Sequence, residues 1–331
     1  MTATIRLGRD DDEAAYIRLI GEAWAEYPGC VLDVDAELPE LRALAAHFAA
    51  AGGVVWVAEG AGAVLGMIGV TPDADGLWEI RKLYVDRAAR GTGLAQRLLS
   101  TAEAYAAGQG ASGLFLWTDT RFTRAHRFYE AQSWLREGGL RSVADLSNSI
   151  EYRYAKPLGR CAVRALDAAG AASAVRRLSD VLIATVADGA AVGFLRTPTR
   201  GRAEEFWGAT ARRVGTGAAV LFAAWSEGVL AGTVTLSLDM PENQPHRADI
   251  EKMLVHPAFR RRGLGRALLA AAEASALAAG RRLLVLDTRE GDPSEALYRA
   301  AGWTRVGRIP DYALSTDGTL HATVIYTRRL A

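Results

Sequence analysis

Two short segments of this 331-residue chain are made of residues suited to gripping a phosphate. They are Arg90-Gly91-Thr92-Gly93-Leu94-Ala95 and Arg260-Arg261-Arg262-Gly263-Leu264-Gly265, the second continuing into Arg266. Glycine lets main-chain N–H groups approach a ligand closely. A helical pattern rich in Ala and Leu starts within each segment, and a helix N-terminus offers unbonded amides with partial positive charge. Arginine adds a planar fork that meets phosphate oxygens in pairs. Together these features read as a diphosphate cradle. Other phosphate motifs fail on spacing. A dinucleotide fingerprint finds Gln96 and Leu268 where its third glycine belongs, and neither segment ends in the Gly-Lys-Ser/Thr of a Walker loop. One such turn on its own reads equally as a tight start to a helix. Two in matching surroundings do not.

The surroundings match because the chain repeats itself. Lys82-Leu83-Tyr84-Val85 returns 170 residues later as Lys252-Met253-Leu254-Val255, and the same offset carries Arg90 to Arg260, Gly93 to Gly263 and Leu98-Leu99 to Leu268-Leu269. Of three lysines in the chain, two fill that matched position. Further on the offset is 169, pairing Tyr129 with Tyr298 and Trp134 with Trp303. A unit this long is a duplicated domain rather than a solenoid repeat.

Each copy has the same pattern of elements. Opening strands are expected at 3–7 and 161–166, then helices at 11–27 and 38–51, and at 168–187 and 202–214. Hairpin strands follow at 53–59 and 63–70, and at 218–225 and 229–238. A third strand, 77–85 or 248–255, runs into the glycine-rich turn and a helix, 93–108 or 263–279. A buried apolar strand (113–117, 282–286), a short helix and closing strands complete the copy. Pro157 and Gly159 break regular structure between the copies, giving domains 1–157 and 160–331.

With the order hydrophobic-hydrophobic-Val, a gap, Arg-x-x-Gly-x-Gly/Ala and a Leu-rich helix, each half resembles the GNAT superfamily of acetyl-CoA-dependent N-acetyltransferases. Ala125-His126-Arg127-Phe128-Tyr129-Glu130 and Ala296-Leu297-Tyr298-Arg299 resemble the helix of that family that bears a Phe/Leu-Tyr pair. The second half, with Met253-Leu254-Val255-His256-Pro257 and Leu286-Asp287-Thr288, is similar to small-molecule acetyltransferases of the tabtoxin-resistance type. The resemblance implies an α/β fold made of two consecutive GNAT-like domains. Each would be a central mixed sheet flanked by helices, with two strands splayed to admit the cofactor. It also implies that Met253, Leu254 and Val255 offer backbone groups to the pantetheine arm, and that Arg260, Arg261, Arg262, Gly263, Leu264, Gly265 and Arg266 hold the pyrophosphate. The first-half equivalents are Leu83, Tyr84 and Val85, with Arg90, Gly91, Thr92, Gly93, Leu94 and Ala95. Phe122 and Gly291 stand where many relatives place a cofactor-touching Asn.

Acetyl transfer to an amine requires a neutral amine, a polarised thioester and a proton for the leaving thiolate. A tyrosine hydroxyl near the sulfur can supply that proton, and Tyr298 and Tyr129 are the matching residues. Candidate bases are Asp249 and Glu251 in the second half and Glu79 in the first, carried on the strand before the turn. The competing reading of each carboxylate is a solvated arginine partner. The competing reading of each tyrosine is a packed ring.

Composition narrows the rest. Half the residues are apolar and 23% are charged, as in an ordinary globular protein. Cys30 and Cys161 make no disulfide framework, and the five histidines are scattered, so no metal is expected. No apolar run is long enough for a membrane span and no basic-apolar leader begins the chain, which points to a cytoplasmic protein. The net charge of +1 conceals an acidic first half and a basic second half. The basic half lacks RNA-binding aromatic motifs, so its charge reads as steering of a polyphosphate cofactor and complementarity to the acidic half rather than nucleic-acid binding. The expected partners are acetyl-CoA and a small-molecule amine, with the second half catalytic and the protein a monomer or homodimer. The alternative is a CoA-binding sensor or structural module.

Overall fold

The computed structural model describes residues 3–190 and 192–331. The chain divides into two compact units, one ending at Leu158 and the other beginning at Gly159. Strands of the first unit are β1 (Thr4–Leu7), β2 (Val54–Gly60), β3 (Ala63–Pro72), β4 (Leu77–Val85), β5 (Gly113–Asp119), β6 (Leu135–Ser142) and β7 (Ile150–Pro157). Its helices are α1 (Glu13–Trp24), α2 (Val34–Glu37), α3 (Leu44–Ala50), α4 (Leu94–Gly108) and α5 (Thr123–Ala131). The second unit holds β8 (Ala162–Leu166), α6 (Ala168–Ala187), α7 (Arg200–Gly215), β9 (Ala219–Ser226), β10 (Val229–Ser237), β11 (Arg247–Val255), α8 (Leu264–Ala278), β12 (Leu283–Arg289), α9 (Ser294–Ala300), β13 (Thr304–Leu314) and β14 (Leu320–Arg329).

Each unit is one mixed sheet, ordered β1-β2-β3-β4-β5-β7-β6 and β8-β9-β10-β11-β12-β14-β13. Neighbouring strands are antiparallel except β4/β5 and β11/β12. Those pairs are parallel, and a parallel pair needs a helical crossover, which α4 and α8 supply. The hairpins turn on Ala61-Gly62 and Glu227-Gly228, both residues of each pair having positive φ. That is the two-residue turn whose twist matches the strands it joins.

The crossover helices bury the same face. Leu94, Leu98, Leu99, Ala102 and Ala106 are buried in α4, as are Leu264, Leu268, Leu269, Ala272 and Ala276 in α8. They pack on apolar strand residues such as Ile80 and Leu114 in one core, and Ile250 and Leu284 in the other. The Trp134 Nε1–H donates to Glu103 at 2.8 Å, and the Trp303 Nε1–H to Glu273 at 2.8 Å, so each helix is tied to the strand that follows the tyrosine-bearing helix. The helix expected at 38–51 is broken. Pro39 forces Leu38 out of the helical region (φ −134°), and a 3-10 turn over Pro39–Ala43 separates α2 from α3. Among the described residues no helix is long and apolar enough to cross a membrane.

Candidate active site

In each unit the parallel strands part company almost at once. β4 and β5 pair at Leu77↔Gly113, Trp78↔Leu114 and Glu79↔Phe115, and β11 and β12 at Arg247↔Leu283, Ala248↔Leu284 and Asp249↔Val285. Beyond those three registers both strands continue, unpaired to each other, so a wedge opens between them. Glu79 and Asp249 occupy the last paired register, at its apex.

A bulge helps to turn β4 and β11 away. Met67↔Tyr84 is followed by Gly69↔Arg81, so Ile68 alone opposes Lys82 and Leu83. Likewise Val234 opposes both Lys252 and Met253. Lys82 (φ +56°) and Lys252 (φ +50°) take the left-handed backbone that such a bulge demands. The residues after the bulge, Leu83, Tyr84 and Val85 or Met253, Leu254 and Val255, present one edge to the wedge with no strand on it.

The glycine-rich turns cap the wedge. Gly93 (φ +82°) and Gly263 (φ +88°) are the residues before α4 and α8. A Cβ at either, or at Gly91, would meet nothing within 4 Å, so the turns face open space rather than protein. The first intrahelical amide bonds run from Arg97 to Gly93 and from Ala267 to Gly263. The amides of Leu94 and Ala95, and of Leu264 and Gly265, therefore lie in the helix's unbonded first turn. Gly265 has a second reason to be small. A Cβ there would sit 2.9 Å from Leu297 and 3.2 Å from Met253, where α9 and β11 close over the start of α8. Thr92 turns its hydroxyl back to the Ala89 carbonyl, at 2.7 Å.

The arginines divide the two cradles. Arg90 pairs with Glu26 at 2.6 Å and bonds the Val85 carbonyl; Arg260 pairs with Asp188 at 2.5 Å and bonds the Val255 carbonyl. Both side chains, expected to reach for a diphosphate, instead brace the end of the strand before the turn, because an acid at the end of α1 or α6 lies within reach. Arg262 is shared between Glu227, at 3.3 Å, and the Phe259 ring. Arg261 and Arg266 are exposed and have no ion pair among the described residues. Gly91 and Gln96 hold their places in the first unit, whose turn has one exposed arginine without an ion pair among the described residues, Arg97, and that side chain is bonded to the Ala3 carbonyl at 2.5 Å.

Tyr298 lies in α9, 5% exposed, its ring 5.7 Å from Tyr326 and 6.1 Å from Trp303. Burial holds its hydroxyl proton well above the usual tyrosine range despite a hydrogen bond to Ser294, which Thr288 also meets at 3.0 Å. Tyr129 is equally buried, and burial raises it too, with the Tyr84 hydroxyl adding to the effect. Tyr84 accepts the Trp24 indole N–H at 2.9 Å and is pushed up to about 12 by burial.

Each candidate base has an arginine beside it. Glu79 meets Arg81 at 3.3 Å, Asp249 meets Arg247 at 2.6 Å and Glu251 meets Arg213 of α7 at 3.0 Å. Burial nonetheless raises Glu79 and Asp249 above the ordinary carboxylate range, the arginines opposing it. Glu251 and Asp287 push Asp249 further in the same direction. Asp287 also raises Tyr298, so this β12 carboxylate acts on acid and base candidates alike. The sequence reading gave no role to Asp287, Ser294 or the bulge lysines. Only the recurrence of two rare lysines at one offset had marked that position. Where relatives place an Asn, the Phe122 ring packs 4.7 Å from Tyr27, and the Gly291 N–H donates to Glu295. Neither position offers a side-chain amide.

Wedge, amide turn and free cations fit a nucleotide thioester. The model of the acetyltransferase (GNAT) family matches residues 17–134 and again residues 194–303. Among solved structures, a GNAT-family acetyltransferase of Staphylococcus aureus Mu50 is 22% identical, spanning 46% of this chain and 99% of its own, with a TM-score of 0.41. The yncA protein of Salmonella typhimurium, whose structure holds its cofactor acetyl-CoA, is 20% identical over 52% of this chain and 95% of its own, with a TM-score of 0.43. The ribosomal-protein-S18-alanine N-acetyltransferase of Escherichia coli is 19% identical over 52% and 94%, with a TM-score of 0.39.

Proposed function

The chain belongs to the acetyltransferase (GNAT) family and is an acetyl-CoA-dependent N-acetyltransferase; from that premise we propose that its second unit is the working site and that the acceptor is an amine on a small molecule. Arg261 and Arg266 carry the reading. They are unpaired cations beside the amides of Leu264 and Gly265, whereas the first cradle relies on its backbone, on an Arg90 already held by Glu26 and on an Arg97 bonded to the Ala3 carbonyl. Arg262 can leave a surface partner, and Arg260 steadies the strand end from which Met253, Leu254 and Val255 face the pantetheine arm.

Bound acetyl-CoA supplies the acetyl group as an activated thioester. Asp249, at the apex of the wedge with its carboxyl raised above the ordinary carboxylate range by burial, takes the proton that the acceptor ammonium must lose. Glu251, on the same face of β11, is the second candidate, although Arg213 engages it more openly. Tyr298 keeps its proton throughout the neutral range and is the acid. Backbone N–H groups after the bulge are the donors available to a developing oxyanion.

The first unit keeps the wedge, Glu79, Tyr129 and the turn from Arg90 to Ala95. Its acceptor face is filled, with Tyr84 bonded to Trp24 and Lys82 paired with Glu40. This favours a second reading for that half, a module that binds CoA without turnover. Parallel variants test both. Tyr298→Phe lowers kcat by about a hundredfold or more and leaves acetyl-CoA affinity unchanged, while Tyr129→Phe leaves kcat alone. The reverse pattern assigns catalysis to the first unit.

A further inference from the structure

Two of the three lysines stand on the bulges that open the wedges, each in the left-handed backbone that non-glycine residues rarely adopt. In the first unit the use of that lysine is visible. Lys82 is 3.2 Å from the Glu40 carboxylate, both side chains being largely shielded from solvent. A carboxylate therefore fits this bulge cation, and the chain provides its own.

In the second unit no acid fills that place. Lys252 makes no ion pair among the described residues. Its ammonium lies 5.7 Å from the centre of the Phe206 ring and close to Gly193, and the Phe194 ring meets Phe206 edge-on at 5.8 Å. An aromatic face compensates a half-buried ammonium only weakly compared with an anion. Lys252 thus shares with Asp249 and Glu251 a short stretch of β11 that offers one free cation and two acids to whatever enters. An acceptor amine is drawn to the acids and repelled by the lysine, so the lysine suits a second, negative group.

We propose that Lys252 receives a carboxylate of the acceptor, so that the second unit acetylates amino acids or close relatives whose apolar part rests on Phe194 and Phe206. This rests on the reading of the second unit as the catalytic one. The reaction is the ordinary transfer: a nitrogen–carbon bond forms, the thioester bond breaks, one proton leaves the amine and one ends on the thiol.

Release of CoA from acetyl-CoA is measured with matched acceptors, each amino acid beside its decarboxylated amine: L-leucine and isoamylamine, L-phenylalanine and phenethylamine, L-ornithine and putrescine. The amino acid of at least one pair is preferred by about tenfold or more in kcat/KM. Lys252→Asn, which tolerates the left-handed backbone, removes the preference through KM and leaves the amine's kcat unchanged; Lys252→Arg restores part of it. Equal rates within every pair, or a preference that survives Lys252→Asn, overturns the proposal. If no acceptor of either kind releases CoA, the small-amine reading of the second unit has failed instead. The lysine is then judged by calorimetric titration of N-acetyl-L-leucine into CoA-loaded protein. Heat that vanishes in Lys252→Asn supports the carboxylate contact, and heat that is absent or unchanged overturns it.

Discussion

At the residue scale the proposed chemistry turns on two groups moved in the same direction for different ends. Burial keeps the Tyr298 proton in place, which suits an acid, and raises Asp249 above an ordinary carboxylate, which makes it the stronger base. Asp249 accepts a proton only when ionised, so a raised value moves the acidic limb of the rate profile upward in pH. The expected profile of kcat/KM rises at a pH above that of an ordinary carboxylate, and Asp249→Asn flattens this limb while lowering the rate by about a hundredfold. An unchanged limb in that variant transfers the role to Glu251 or to water. Tyr298 and Asp249 were both candidates from the sequence, one from its place before Trp303 and the other from a strand leading into the cradle. Their environment was not legible there. Asp287 and Ser294 come to them across strand pairing and helix packing, and no local pattern announces such contacts.

The elements explain why the site stands where it does. β11 runs from three registers of parallel pairing through a bulge into a turn and a helix, all within about twenty residues, so strand edge and helix amides arrive on one side. Gly263 is the joint. At φ +88° a side chain there is strained by roughly 1–2 kcal/mol, and nothing within 4 Å would be displaced. Gly263→Ala therefore lowers the melting midpoint of the second unit by about 2–8 °C and weakens acetyl-CoA by distorting the amide turn; a variant that binds and melts like the parent would show that the turn adapts. The sequence carried this joint well, because strand, glycine turn and Leu-rich helix are contiguous. It failed on the helix at 38–51, where Pro39 opens a 3-10 turn and Ala43, at φ −143°, leaves the helical region before α3 begins. It also gave no sign of the ion pairs that Arg90 and Arg260 make. Their partners, Glu26 and Asp188, are brought near by tertiary structure, and an arginine's availability cannot be read from the arginine alone.

Across the whole molecule, one scaffold occurs twice with two complements of charge. The buried faces of α4 and α8 agree residue for residue, and each helix fixes its tryptophan through a glutamate. What differs lies at the mouth of each wedge, where Arg261 and Arg266 replace Gly91 and Gln96. Titration of acetyl-CoA should accordingly resolve a tight and a weak class of site. The tight class weakens as ionic strength rises, and Arg261→Ala with Arg266→Ala brings it down about tenfold or more without altering the weak one. A single class untouched by those substitutions would mean that the backbone alone sets affinity.

The bulges under Lys82 and Lys252 also bear on timing. A strand kinked by its own main chain cannot zip onto its neighbour when the nucleotide departs, so each slot persists while empty. Entry then needs no door to swing. On the proposed reading, arrival of a nucleotide thioester is governed by collision and by the local field of Arg261 and Arg266, so the second slot is expected to fill faster.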